Sequence, residues 1–252
     1  MGTSLEGINV LVTGASGGIG GAIVEEVVRQ GGFPLIHFGG NPDAAEDLLE
    51  RIGGRGALVQ ADLSSREGPR ALWERCLQQV SRMDAVVHNA GVRTEISIES
   101  DWDEWHAAWG REFQINVQAA ADLNRLAIAH FSRRGAGKII SMASRAAQRG
   151  YSADALPYGV TKAALINMTK SIARSFGAQG IVAACIAPGW VRTEMAEEFI
   201  SKHGLEAAVQ DIPLGDIATP KEVAELVAFC LQPSQRSING ATLDINGGSY
   251  IR

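Results

Sequence analysis

The sequence predicts an α/β fold: a doubly wound, about seven-stranded parallel sheet with helices on both faces. Three observations predict it. Short apolar runs alternate with helix-length segments along the chain. Most of the runs are apolar at both parities, as strands buried on two faces must be. A glycine cluster stands straight after the first run and opens the first helix, where sheets of this class turn a strand into a helix.

The strands read in order as INVLVT (8–13), FPLIHF (33–38), GALVQ (56–60), DAVVH (84–88), KIISM (138–142), IVAACIA (181–187) and ATLDI (241–245). Helical segments fall between them at roughly 18–30, 42–52, 65–80, 102–132, 155–176 and 220–231. Crossovers between parallel strands are right-handed. Asn41 before Pro42 and Thr219 before Pro220 each supply a side-chain cap and a first-turn proline. The alternation breaks once, at PGWVRTEMAEEFISKHGLEAAVQDIPLGDIATP (188–220). Long connections of this kind often serve as lids or binding segments. This one follows a strand's C-terminal end, where open α/β sheets bind ligands. No repeat or linker divides the chain, so residues 1–252 are expected to form a single domain with a substrate lid around 189–218.

Hydrophobic residues make up 46% of the chain, ample for a core, and the net charge is −5. That mildly acidic balance speaks against nucleic acid or a polybasic membrane surface as partner. Cys76, Cys185 and Cys230 are scattered, without the paired spacing of a disulfide framework or a zinc site. They are expected to be small buried apolar residues. The histidines show no ligand spacing, so no catalytic metal is expected. The N-terminus lacks a basic region followed by a long apolar run. No stretch approaches the roughly 20 apolar residues that span a bilayer. The expected compartment is the cytoplasm.

The loop VTGASGGIGGAI spaces Gly14, Gly18 and Gly20 as G-x-x-x-G-x-G. Glycines there allow a sharp turn and a close backbone approach to a diphosphate. The helix N-terminus adds free N–H groups and a positive dipole end, and Thr13 and Ser16 add hydroxyls. A glycine cluster alone also fits a tight turn without a ligand; the strand–turn–helix context favours the phosphate. Tyr158 and Lys162, four apart, share one helix face. Alone, they read as a surface pair, Ser144 as a loop serine and Asn116 as a polar residue within a helix.

Together these features have a family look. TGASGGIG resembles the cofactor loop of the short-chain dehydrogenase/reductase family, and the other landmarks follow in order. HNAG (88–91) resembles its N-A-G motif, Asn116 in FQINV the Asn of its long crossover helix, and Ser144 in IISMASRAA its serine after the fifth strand. YGVTK resembles Y-x-x-x-K, PGWVRT (188–193) the P-G motif, and INGGSYIR the usual close. The resemblance covers essentially the whole chain and is nearest to the 3-oxoacyl-carrier-protein reductases.

The resemblance implies a Rossmann-like fold and hydride transfer between a nicotinamide and a carbonyl or secondary-alcohol carbon. It makes Asn116, Ser144, Tyr158 and Lys162 catalytic. Tyr158 is the proton donor. A free phenol has a pKa of about 10; a nearby cation lowers it, and Lys162, one turn on, is placed to supply that charge and to hold the nicotinamide ribose. Ser144 holds the substrate oxygen. Ser141, the other serine in SMAS, falls within the strand by parity, whereas Ser144 falls beyond it at the cleft. Asn116 is expected to perturb its helix locally and to bind a water that links Lys162 to solvent.

Cofactor contacts carry over to Gly14, Ser16, Gly17, Gly18, Ile19 and Gly20 in the loop, and to Phe38, Gly39 and Asn41 after the second strand. They carry over likewise to Asp62 and Leu63, to Asn89, Ala90 and Gly91, to Tyr158 and Lys162, and to Pro188, Gly189, Val191 and Thr193. A substrate contact carries over to Ser144; Tyr151, without a lysine four residues on, reads as a substrate-loop residue, and Trp190, Met195, Arg93 and Arg145 are cleft candidates by position alone.

The second strand ends in LIHFGGNPD, without the acid that binds the ribose 2′-hydroxyl of NAD. This favours NADP(H), with NAD(H) as the alternative. No arginine stands nearby for a 2′-phosphate; Asn41, His37 and backbone N–H groups are the expected replacements. Arg133 and Arg134 sit where carrier-protein reductases can meet an acyl carrier protein, although a solvated helix end explains them better. The resemblance also implies a homotetramer, with helices 102–132 and 155–176 at one interface and the C-terminal segment at the other.

The expected reaction is NADP(H)-dependent reduction of a 3-oxoacyl thioester or similar ketone, as in fatty acid biosynthesis. An NAD-dependent secondary-alcohol or polyol dehydrogenase is the alternative. A non-catalytic NADP-binding regulator is disfavoured by the intact Ser144, Tyr158 and Lys162.

Overall fold

Seven parallel strands build one sheet in the order β3-β2-β1-β4-β5-β6-β7. They are β1 (Asn9–Val12), β2 (Phe33–Phe38), β3 (Ala57–Gln60), β4 (Ala85–His88), β5 (Gly137–Met142), β6 (Ile181–Pro188) and β7 (Thr242–Ile245). The computed structural model describes residues 4–252, apart from the side chains of Met195, Glu198 and His203. Met195, expected at the substrate, therefore has its side chain outside the described residues.

The strand order reverses between β1 and β4, which opens a crevice at the C-terminal edge of the sheet. Parity along the strands divides the core in two. Val10 and Val12 of β1 pack with Ile23 and Val27 of α1 (Gly18–Arg29) and with Val223 and Val227 of α10 (Pro220–Leu231). Leu11, between them, faces the opposite layer. That layer holds Leu72 of α3 (Gly68–Gln79), Phe131 of α5 (Ala119–Ser132) and Ile172 of α7 (Leu156–Phe176). Full burial of each such side chain stabilises the fold by roughly 2 kcal/mol.

Both anticipated caps form. Asn41 Oδ1 accepts the Ala44 N–H at 3.1 Å and starts α2 (Pro42–Arg51). Thr219 and Glu222 make a reciprocal capping box on α10. The third helix starts at Gly68, later than its pattern suggests, because Asp62–Ser65 folds as a polar turn first. The Gly68 N–H donates to Ser65 Oγ at 3.1 Å.

The expected helix 102–132 is interrupted. It runs as α4 (Trp102–Glu112), a π-helical turn (Phe113–Gln118) and α5. The wide turn lets Asn116 clamp the backbone of Val92: its Oδ1 accepts the Val92 N–H at 2.8 Å, and its Nδ2 donates to the Val92 carbonyl at 2.9 Å. The local perturbation expected at Asn116 is thus present.

The long connection after β6 has structure of its own. It carries α8 (Glu194–His203), α9 (Leu205–Val209) and a parallel bridge from Val191 to Ala218. A small apolar cluster of Ala196, Ala208, Ile212 and Ile217 packs against Trp190 and Phe199. A one-turn helix, α6 (Ala146–Arg149), also appears, unmarked in the sequence pattern. The three cysteines are free and buried. No helix among the described residues is long and apolar enough to cross a membrane.

Candidate active site

A cavity of about 830 Å³ opens at the crevice. Its floor is the turn between β1 and α1. Gly14 and Gly18 take left-handed φ values of 62° and 57°, which favour glycine. A Cβ on Gly14 would come 2.8 Å from Ala90 Cα. Asn89 locks this packing by donating from Nδ2 to the Thr13 and Gly14 carbonyls at 3.0 and 2.9 Å. Thr13 Oγ1 accepts the N–H groups of Asn89 and Ala90, both at 3.0 Å.

This floor fits a dinucleotide diphosphate. Space around Gly17 is open, with nothing within 4 Å of a Cβ placed there. No side chain caps α1 and no acid occupies its first turn, so its leading N–H groups stay available to an anion. Ser16, Ile19, Asn41, Asn89, Gly91, Pro188, Gly189, Val191 and Thr193 line the same cavity, as the resemblance implies.

Other expected contacts lie outside its lining. Gly20 packs beneath the loop against Gly14 and Asn89. Ala90 packs against Gly14, Phe38 and Leu63 are buried, and Gly39 and Asp62 are exposed beyond the wall. The Asp62 carboxylate accepts from Ser64 N and Oγ at 2.9 and 2.6 Å. His37 does not serve as a phosphate ligand. Its Nδ1 accepts the Gly14 N–H at 2.9 Å, its Nε2 pairs with the Ala61 carbonyl at 3.1 Å, and burial pushes its pKa down to about 4. It is a neutral strut beneath the loop.

Ser144, Tyr151, Tyr158, Lys162 and Trp190 line the same cavity. Ser144 Oγ accepts the Ala146 N–H at 3.1 Å, and the Ser144 side chain acts on the Tyr158 phenol, drawing its pKa down. Lys162 is buried, donates to the Met142 carbonyl at 2.9 Å, and lies 5.6 Å from the Tyr158 ring centroid. The electrostatic balance differs from the expectation. Burial pushes the Tyr158 phenol up to about 12, against a smaller lowering by Ser144. Burial also pushes Lys162 down to about 8. In the protein alone, desolvation outweighs the lowering by Ser144 and by the Arg93 guanidinium. The phenol is therefore held protonated at neutral pH, as a donor must be.

Two neighbours carry no motif in the sequence. Glu112 is fully buried; its Oε1 accepts the Thr94 N–H at 2.6 Å and its Oε2 faces Asn116 Nδ2 at 3.3 Å. Thr161 Oγ1 accepts from Asn116 Nδ2 at 3.0 Å. Glu112 lies four residues before Asn116, and that spacing is the one hint the sequence holds. Ser141 lies within β5, where Thr169 Oγ1 donates to it at 3.2 Å. Arg134 is occupied, donating to Met83 O and Asp84 Oδ1 at 2.7 and 3.0 Å.

A glycine cradle and a Tyr–Lys pair, the tyrosine half-buried and the lysine buried, lining one crevice define a nicotinamide-dependent oxidoreductase. The family model described as enoyl-(acyl carrier protein) reductase matches residues 14–250, and the chain belongs to the short-chain dehydrogenase/reductase family. It is 33% identical to the 3-oxoacyl-[acyl-carrier-protein] reductase FabG of Rickettsia conorii, covering 98% of each chain. It is equally 33% identical to the uncharacterized oxidoreductase YmfI of Bacillus subtilis, covering 94% of this chain and 97% of that one. Among solved structures, the RhlG/NADP active-site complex of Pseudomonas aeruginosa superposes with a TM-score of 0.91 at 27% identity, covering 99% and 98%. A provisionally assigned gluconate dehydrogenase of Agrobacterium tumefaciens gives 0.90 at 26%, covering 98% and 97%.

Proposed function

We propose that the protein is an NADP(H)-dependent reductase of a 3-oxoacyl thioester or similar ketone. The observation that carries this is that Ser144, Tyr158 and Lys162 line the same cavity as the glycine cradle. When bound, the nicotinamide supplies the hydride. Ser144 orients the carbonyl oxygen, and Tyr158 delivers the proton to it as negative charge develops there. Lys162 stabilises that charge. Asn116 holds the loop at Val92 and the helix that carries Lys162 in register.

Support for NADP(H) is the lack of an acid on the cavity wall beside Asn41 and Ala44. Support for the oxoacyl substrate is the FabG likeness, over nearly the whole chain. A polyol or sugar-acid dehydrogenase is the second reading, favoured by the likeness to the gluconate dehydrogenase structure. Residues 189–218 act as a lid that closes over the substrate, within a single cytoplasmic domain of 1–252. Exposed apolar side chains on α4, such as Trp102 at 74%, suit the interface of a homotetramer; sedimentation tests that. An acyl carrier protein is a less supported partner, since Arg134 is spent internally.

The test is turnover of ketone panels with NADPH and NADH. Tyr158→Phe is expected to lower kcat by about 10²–10⁴-fold with cofactor affinity retained. Unchanged kcat would remove Tyr158 from the chemistry.

A further inference from the structure

The substrate side of the site carries three arginines, each paired with a carboxylate more exposed than itself. Arg93 and Arg145 line the cavity that holds Ser144, Tyr158 and Lys162. Both also line an adjoining cavity of about 1180 Å³ with Arg149 and Tyr151. The Arg93 guanidinium lies 5.6 Å from the Tyr151 ring centroid, and that ring stands 5.5 Å from the Tyr158 ring. Arg145 directly follows Ser144, and its N–H donates to the Pro188 carbonyl at 2.8 Å. The two guanidiniums thus flank the reacting centre from different loops.

Their acidic partners lie further out. The Arg93 and Arg145 side chains are 19% and 7% exposed, whereas Glu95, Asp154 and Asp211 are 70%, 56% and 38% exposed. Asp211 is shared between Arg145 at 3.2 Å and Arg149 at 2.7 Å. Glu194, also exposed, is the remaining acid on the first cavity's wall. On the first cavity's wall Arg93, Arg145 and Lys162 stand against Glu194 alone, so the charge balance beside the reacting centre is positive.

We propose that the substrate carries a carboxylate on a short arm from its reacting carbonyl, received between Arg93 and Arg145. The proposal rests on the reductase reading of the same site and narrows its substrate to oxo acids. A planar carboxylate matches the paired N–H donors of a guanidinium. The phosphate of a carrier arm is the other source of such a charge, and the test separates the two.

Acetoacetate and levulinate are compared with their methyl esters and with acetoacetyl-coenzyme A. The free acids are expected to exceed their esters in kcat/KM by about tenfold or more. Arg93→Gln and Arg145→Gln are each expected to lose at least about tenfold more on the acids than on the esters. Should Arg145→Gln fail to fold, Arg93→Gln decides. Esters turned over as well as acids, or equal losses on both, overturn the proposal. So does an arginine-dependent preference confined to the coenzyme A thioester, which assigns the charge to phosphate. Calorimetric titration of levulinate into the wild type and Arg93→Gln separates the two claims. Arginine-dependent binding without turnover of any ketone sinks the reductase reading alone. Ester turnover without levulinate binding sinks the carboxylate proposal alone.

Discussion

Lys162 Nζ and Gly91 leave no room for one more carbon between them. A Cβ on Gly91 would stand 3.0 Å from the ammonium and 3.3 Å from Asn116 Oδ1. Gly91→Ala should therefore displace the lysine, whose long stem can yield without unfolding the protein. A fall in kcat of about a hundredfold is expected, the usual effect of a small misplacement at a reacting centre. Circular dichroism and Tm should stay close to wild type. Full activity in Gly91→Ala would show that the position of Lys162 is uncritical.

Glu112 is the buried carboxylate nearest to this machinery. Burial pushes its own carboxyl up, opposed by the Thr94 N–H. Its negative charge raises both Tyr158 and Lys162. Glu112→Gln keeps the shape and removes the charge, so both groups should lose their protons at lower pH. Reduction needs both protonated, so the alkaline limb of its kcat/KM profile should move to lower pH. A limb that does not move would disconnect Glu112 from the site's electrostatics.

Asn41 offers a test of cofactor choice. It caps α2 and lines the cavity. Asn41→Asp preserves the cap but sets a negative charge against a 2′-phosphate. NADPH affinity is expected to fall on the order of 10–100-fold, with NADH affinity equal or improved. Fluorescence titration with both cofactors measures this; an equal fall for both would place the 2′-phosphate elsewhere.

Acid should loosen the fold through two histidines. Burial pushes His37 and His88 down to about 4, against about 6.5 in an unfolded chain. Between those values the unfolded state binds more protons, so stability falls as pH falls through that window. The loss reaches roughly 3 kcal/mol per histidine at most. Urea unfolding at about pH 7 and about pH 4.5 reads it. A flat profile would mean that both rings titrate normally.

The strands are plain in the sequence because two-sided burial leaves no polar parity, as in IVAACIA, where every β6 residue is buried. The caps at Asn41 and Thr219 are plain because their chemistry is local. The site's outline is plain because Gly14, Asn116, Ser144, Tyr158 and Lys162 stand in motif order. What escapes is long-range. Arg93 lies over Tyr151, and Asp211 joins Arg145 and Arg149, only after the chain has folded. The ring nitrogens of His37 are claimed by Gly14 and Ala61, contacts between strands that no spacing reveals. The helices α8 and α9 escape because their apolar residues serve a private cluster rather than the main core.

The π-helical turn at Phe113–Gln118 has a further consequence. It adds one residue to the helical path, so the segments on either side are rotated relative to each other by about 100° from where an unbroken helix would set them. Glu112 just upstream and Asn116 within the turn are thereby aimed at the loop after β4. Downstream, the same phase aims Leu123, Ala127 and Phe131 into the sheet. One continuous helix has a single phase and would serve only one of these faces. Deleting a residue from the turn would thus force the chain to choose between a seated helix and an assembled site.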